Sequence, residues 1–339
     1  MAWYNIPGNE QDTVIFTRYR VARNISEFPF PSRLDPTGAK EIIGRVGSVL
    51  EANGFSKTDF SEISHATAYS LAEKLYISPD FIRESLPHAL YLNEPCNLSA
   101  MLCREEHIRL QCILPGFSVR DAAASVSKIE GILDEKFNFA FEERFGYLTS
   151  DPSLLGCATE ISVMLFLPSV LHSGMMPSLI ERMSGCGFRM RRFFTDDLSR
   201  ERNADIPFYL LSNKITGVSE EELDQRFGSA VRRIIDSERQ ARRDIGAETL
   251  EKITDRAMRA EGILRYAHLL SYSDYIRYSA ALRLGIALGS ITDVRTETLT
   301  SLLFDTLPAT LSMSLDALPQ SSRSVDKYRA NYVKERLQA

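Results

Sequence analysis

The sequence predicts a mixed α+β protein, in which strands and helices interleave up to residue 246 and an all-helical region follows from 247 to 339. Three observations carry this expectation. Short β-type runs end in turn residues, long stretches repeat apolar residues at helical spacing, and strand signals fade after Ile245-Gly246-Ala247. A chain of 339 residues accommodates two domains, placed here at 1–246 and 247–339.

The first strand follows the apolar run Val14-Ile15-Phe16 and reads Thr17-Arg18-Tyr19-Arg20-Val21-Ala22-Arg23-Asn24. Alternation sets Arg18 and Arg20 on one face. Two planar cations on one face, with Arg23 close by, suit a polyphosphate, because arginine binds phosphate oxygens in bidentate fashion and stays charged. A solvated basic strand edge accounts for the same residues equally well. Ile108 to Leu114 alternates and stops at Pro115-Gly116, a strand and a turn. At its entrance, Cys103-Arg104-Glu105-Glu106-His107 places two adjacent carboxylates beside Arg109. They are candidates for a general base and a phosphate ligand, although a charged hairpin rim is the commoner use of so short a cluster. Val126, Ile129, Ile132 and Leu133 form the stripe of a helix from Ala122 to Phe137, and Ser162 to Pro168 reads as a strand. Leu223, Phe227, Ala230, Val231, Ile234 and Ile235 form the stripe of a helix from Glu220 to Ile245, whose Arg- and Glu-rich face reads as solvated ion pairs. Beyond it, helical periodicity recurs over Leu264–Leu270, Tyr278–Leu288 and Val325–Leu337, punctuated by Pro308 and Pro319.

Composition narrows the function classes. Apolar content of 44% and charged content of 25% are those of an ordinary globular protein, and a net charge of −5 argues against nucleic-acid binding. No apolar run reaches membrane-spanning length, and Met1-Ala2-Trp3-Tyr4-Asn5 has no signal-peptide pattern, so a cytoplasmic location without membrane association is expected. The five cysteines are widely spaced with no C-x-x-C pair, which favours buried free thiols over disulfides or zinc. The five scattered histidines include no H-E-x-x-H, so no protein-bound metal is expected.

Colinear motifs along most of the chain resemble the bacterial protein-arginine kinases of the ATP:guanidino phosphotransferase (phosphagen kinase) family. Thr17–Asn24 is similar to the family's S-T-R-I-R-L-A-R-N segment and is followed by Phe28-Pro29-Phe30-Pro31. Glu73-Lys74 with Ile77-Ser78-Pro79-Asp80 resembles E-K-x-x-I-S-P-D, and Arg104 to Pro115 resembles N-E-E-D-H-L-R-I-Q-C-L-L-P. Phe141 to Thr149 is similar to F-D-E-K-L-G-Y-L-T, and Ile234 to Arg242 to the helix after the catalytic core. The resemblance implies an antiparallel sheet flanked by helices, then a helical domain that forms a homodimer. It also implies transfer of the γ-phosphoryl of Mg·ATP to a guanidino nitrogen of protein arginine. That chemistry needs clustered arginines on the phosphates and a carboxylate on the acceptor guanidinium. Carried over by residue, Arg18, Arg20, Arg109 and Arg191 would hold phosphates and Glu105 would be the base.

Departures from the family pattern cluster at the same site. Arg104 stands at an acidic position, Phe16 at a serine and Asp151 at the acceptor-site thiol. Glu160 replaces a phosphate-clamping arginine, a charge reversal beside the triphosphate. After Arg191 the glycine-rich stretch is missing, and Asp196 stands in for an acidic residue that binds the acceptor. The family's phosphoarginine-binding R-D-x-x-R-A reads Val325-Asp326-Lys327-Tyr328-Arg329-Ala330, which keeps Asp326 and Arg329; an ordinary amphipathic helix fits those residues equally well. The leading expectation is therefore a protein-arginine-kinase-like chain with weak or lost transfer. It would be a regulatory partner in stress-response proteolysis, alongside a zinc-binding activator and a Clp-type protease. A working kinase with a rearranged site is the alternative, in which Asp151 and Asp196 bind the acceptor and Arg189, Arg191 or Arg192 replaces the lost clamp. A third is a purely structural subunit, in which the helical domain dimerises or docks the activator.

Overall fold

The computed structural model describes residues 2–60, 62–83, 86–94, 97–194, 206–313 and 321–338. An eight-stranded sheet organises the first region. Its strands are β1 (Val14–Arg23), β2 (Phe55–Thr58), β3 (Ala89–Asn93), β4 (Leu98–Leu102), β5 (Ile108–Pro115), β8 (Thr159–Phe166), β9 (Phe188–Arg192) and β10 (Phe208–Asn213). They lie in the order β2-β3-β4-β5-β1-β8-β10-β9, and every neighbouring pair is antiparallel. A separate small hairpin joins β6 (Phe141–Glu142) to β7 (Gly146–Tyr147). The antiparallel α+β architecture expected from the sequence is thus present.

One face of the sheet is covered by α1 (Pro36–Ala52), α3 (Val119–Asp134), α4 (Pro168–His172), α5 (Met176–Gly185) and α6 (Glu220–Arg243). Tyr19, Val21, Leu110, Cys112, Ile161, Val163, Tyr209 and Leu211 meet these helices in one core. Local chemistry starts the helices where they begin. The Asp35 side chain accepts from Gly38 N with Pro36 opening α1, and Ser219 accepts from Glu222 N at the head of α6. Glu220, Glu221 and Glu222 in the first turn of α6, and Arg242 and Arg243 in its last, complement the helix dipole.

The opposite face divides in two. Along one part, Phe16, Ile113, Met164, Phe208 and Leu210 join a second core with α7 (Ala247–Tyr266), α8 (Tyr272–Ala287), α9 (Thr296–Asp305) and α11 (Ser322–Gln338). Trp3 and Tyr4 wedge into it against Phe304, with ring centroids 4.8 and 5.0 Å away. Two shorter helices, α2 (His65–Glu73) and α10 (Pro308–Met313), pack on each other beside it. The other part of this face carries polar residues and is described below.

Sequence boundaries shift where tertiary contacts outweigh periodicity. Leu264–Leu270 was expected to be helical, yet α7 ends at Tyr266 and Ala267 is extended. Leu270 is drawn to α11, donating its N–H to Asp326 O at 3.1 Å and accepting from Arg329 Nη1 at 2.9 Å. Among the described cysteines, Cys103 and Cys112 are buried, Cys157 is half-buried and Cys186 is exposed; all four are free thiols. Cys96 lies outside the described residues.

Candidate active site

The polar part of the sheet face is built by register. Arg20 on β1 lies opposite Gln111 on β5 and Glu160 on β8. Arg18 lies opposite Ser162, which pairs with Ser212 on β10, which in turn pairs with Arg189 on β9. Arg191 falls on the same face, two residues along β9. Alternation read from the sequence therefore places Arg18 and Arg20 together, and the register adds Arg109, Gln111, Glu160, Ser162, Arg189 and Arg191. Arg192 points to the other face, with its guanidinium 5.9 Å from the centre of the Tyr209 ring.

Glu160 sits among these cations. Arg20 donates from Nη1 to Glu160 Oε2 at 3.3 Å and from Nε to Gln111 Oε1 at 2.7 Å. Arg109 Nη2 is 4.0 Å from the same Glu160 oxygen, while its Nη1 donates to Glu105 Oε2. Arg18 donates from Nε to Ser162 Oγ at 3.2 Å. Burial alone would raise the Glu160 carboxyl, but Arg20, Arg18 and Arg109 overcome it and hold the group at about 2, so it is ionised at neutral pH. Burial and the like charges of Arg20, Arg109 and Arg191 pull the Arg18 guanidinium below the usual arginine range, with Glu160 acting the other way.

The two adjacent carboxylates divide their tasks. Glu106 is buried and accepts from Asn24 Nδ2 and from Ser150 N at 2.9 and 3.1 Å. It ties the β4–β5 turn to the loop that carries Asp151. Glu105 stays 43% exposed at the tip of the turn, so it alone of the pair can reach an incoming group. The turn is tight: Cys103 takes φ +60°, and its N–H bonds to His107 O at 3.0 Å. His107 is fixed beneath it, accepting from Ile25 N at 3.0 Å through Nδ1, with Nε2 2.8 Å from Pro29 O. Asp151 is exposed and accepts from Ser153 N at 2.9 Å. Asp196 lies outside the described residues.

Asp326 and Arg329 lie apart from this face, on α11. Arg329 is 2% exposed and donates to Thr306 O (2.9 Å), Leu270 O (2.9 Å) and Asp326 Oδ1 (2.6 Å). Its guanidinium sits 5.8 Å from the Tyr272 ring centre. These bonds lock α11 to the loops after α7 and α9.

The profile of the ATP:guanido phosphotransferase C-terminal catalytic domain matches residues 40–241, and that of the protein-arginine kinase McsB C-terminal domain matches 250–339. The protein-arginine kinase of Brevibacillus brevis is 32% identical over 99% of this chain and 94% of its own length. Those of Pelotomaculum thermopropionicum (32%, covering 91% and 87%) and Halothermothrix orenii (31%, covering 99% and 96%) are similar. This chain belongs to the protein-arginine kinase family. Solved structures share the family's fold. A duplicated taurocyamine kinase from Schistosoma mansoni superposes with a TM-score of 0.61 at 19% identity, over 81% of this chain and 46% of that longer one. A lombricine kinase gives 0.58 at 17% identity, over 68% of each. Among the described residues, no helix is long and apolar enough to cross a membrane.

Sequence reasoning missed Gln111 and Ser162. Gln111 lies two positions from Arg109 on an alternating strand, so period-two spacing could have flagged it. Ser162 becomes significant only through the β1–β8 register.

Proposed function

We propose that this chain is a protein-arginine-kinase homologue with weak or lost phosphoryl transfer, acting as a regulatory partner. The observation that carries this reading is the ionised Glu160 carboxylate lodged against Arg20 and Arg109. Two of the arginines that would hold phosphate face an internal anion instead. The donor set fits phosphate oxygens at Arg18 and Arg191 and opposes them at Glu160. Mg·ATP, when bound, supplies the phosphoryl group. On the protein side, Arg18 and Arg191 would orient phosphate, and Glu105 would orient and deprotonate the acceptor guanidinium. Losing one clamp of this kind costs about 10³-fold or more in rate, and a like charge in its place adds to that cost.

The relatives' names support protein arginine as the acceptor class. The family likeness supports the remaining proposals: a cytoplasmic homodimer divided at 1–246 and 247–339, phosphoarginine recognition at Asp326 and Arg329, and a role in stress-response proteolysis with a zinc-binding activator and a Clp-type protease. The test is transfer from labelled Mg·ATP to an arginine-rich protein, with products kept at neutral or basic pH. Absent transfer, with the activator also tried, supports the regulatory reading. One observation favours a working kinase instead: Arg191 shares the face and acts electrostatically on Arg18. That reading requires kinase-like rates that vanish in Glu105→Ala.

A further inference from the structure

The Gln111 side chain is completely buried in the sheet face, and both ends of its amide are used. Its Oε1 accepts from Arg20 Nε at 2.7 Å. Its Nε2 donates to Leu75 O at 2.9 Å and to Ser99 Oγ at 3.2 Å. An amide bonded at both ends cannot rotate without losing partners, so it fixes the plane of the Arg20 guanidinium.

The Leu75 carbonyl is itself held in an unusual turn. Leu75 follows α2 with φ +67°, a left-handed conformation that favours glycine. Its N–H bonds to Ala72 O at 2.9 Å, and Tyr76 N bonds to Leu71 O at 3.0 Å, the two closures of a Schellman motif. Two distant segments fasten this turn. Trp3 Nε1 donates to Lys74 O at 3.1 Å. Glu73 accepts from Ala309 N (2.8 Å) and Thr310 N (2.7 Å) at the start of α10, and Ser70 Oγ lies 3.1 Å from Thr310 Oγ1. A non-glycine residue in this conformation is strained and persists where its surroundings over-determine it.

We propose that Gln111 is a positioning residue for the anion site: it orients Arg20 by bridging Arg20 Nε to the left-handed turn at Leu75, which the N-terminal segment and α10 clamp in place. This rests on the reading that Arg20 turns from Glu160 to phosphate when an external anion displaces that carboxylate. Arg20 owes its direction to residues on α2 and in the helical region as well as to its own sheet. Gln111→Met keeps the volume and removes both polar ends.

The test uses the full chain and two readouts. The first is the side-chain Nε–H resonance of Arg20 in 15N-labelled protein, assigned by its loss in Arg20→Lys. In the wild type it should be resolved and exchange slowly with water; in Gln111→Met it should broaden or exchange at least about tenfold faster. The second is binding of inorganic tripolyphosphate by calorimetry, which should weaken about tenfold in Gln111→Met while the melting transition stays cooperative. An Arg20 signal that exchanges in wild type as fast as exposed arginines, or that is unchanged in a folded Gln111→Met, overturns the proposal. The wild-type measurement decides the matter even if the variant does not fold. Unchanged tripolyphosphate affinity in Arg20→Ala would instead overturn the phosphate-holding reading and leave the Gln111–Arg20 result to stand on resonance alone.

Discussion

Replacing Glu160 with Gln removes one charge and almost no volume, and its consequences can be worked from the structure. The carboxyl is held at about 2 against an ordinary 4.5. At 1.36 kcal/mol per unit, that lowering corresponds to about 3 kcal/mol, an upper figure because the side chain keeps 28% exposure. Since the folded value lies below the ordinary one, the stabilisation is complete above about pH 4.5 and is lost as pH falls through about 2. Glu160→Gln should therefore lower stability at pH 7 by up to about 3 kcal/mol, with the deficit vanishing in strong acid. The same change frees Arg20 and Arg109 for an external anion. A unit charge about 4 Å away is worth about 4 kcal/mol at an effective dielectric of 20, so after screening the affinity for tripolyphosphate should rise at least tenfold. Thermal unfolding and calorimetric titration of wild type and variant at pH 7 measure both. The variant should melt lower without anion and recover as anion is added, because ligand binds only the folded state. Equal tripolyphosphate affinity in the two proteins would refute the reasoning, for Glu160 would then not compete with ligand for the arginines.

Other perturbations separate the roles of neighbouring residues. Any arginine phosphorylation by the wild type should disappear in Glu105→Ala, read by labelled-phosphate transfer, whereas Glu106→Ala should first show as lost stability, because Glu106 anchors the Asp151 loop. Arg329→Ala should cost about 3–5 kcal/mol in chemical denaturation, the range for breaking a buried charged pair. Gly116→Ala should destabilise strongly, since φ is +64° and the added Cβ would lie 2.2 Å from Asn9 O; a melting temperature within a degree of wild type would contradict the close crossing of the N-terminal segment. Burial, with Glu220 beside it, pushes the Asp224 carboxyl up to about 6. A raised carboxyl penalises the folded state as pH rises from about 4 through 6, so Asp224→Asn should gain stability relative to wild type at pH 8 and lose that advantage at pH 4.

Much of the fold was legible because its signals are local. β5 and β8 announce themselves by alternation, and α3 and α6 by helical stripes, since a half-buried element must repeat its apolar residues with its own period. What escaped depends on long-range pairing. Nothing near Trp3 in the sequence says that it will pack edge-on against Phe304 or hold the carbonyl of Lys74. The end of α7 was misplaced because Arg329, 59 residues along the chain from Leu270, captures the Leu270 carbonyl. In the site, Arg18 and Arg20 were readable from one strand. The meeting of Glu160 with Arg20 could be suspected from family position, but only the β1–β8 register makes it a contact. The residues alone did not separate Glu105 from Glu106, which only the family resemblance distinguished, because burial of one and exposure of the other follow from the turn geometry.

The register also explains why a single residue on β8 decides the character of this face. Position 160 lies directly opposite Arg20, so whatever side chain stands there must meet the arginines. A cation at that position would leave Arg18, Arg20 and Arg109 mutually repelling until an external polyanion arrived. That is an unfavourable arrangement in the free protein and a favourable one in a complex. A carboxylate reverses both statements: the cations are satisfied by the chain itself, and an incoming phosphate must displace an ion pair already formed. Persistence of Arg18, Arg20 and Arg109 is therefore no argument for phosphate binding, because with Glu160 in place the same residues are accounted for by the stability of the sheet. Stability and anion affinity should move in opposite directions when Glu160 is neutralised, whereas a face with no ligand-binding role would show the first change without the second.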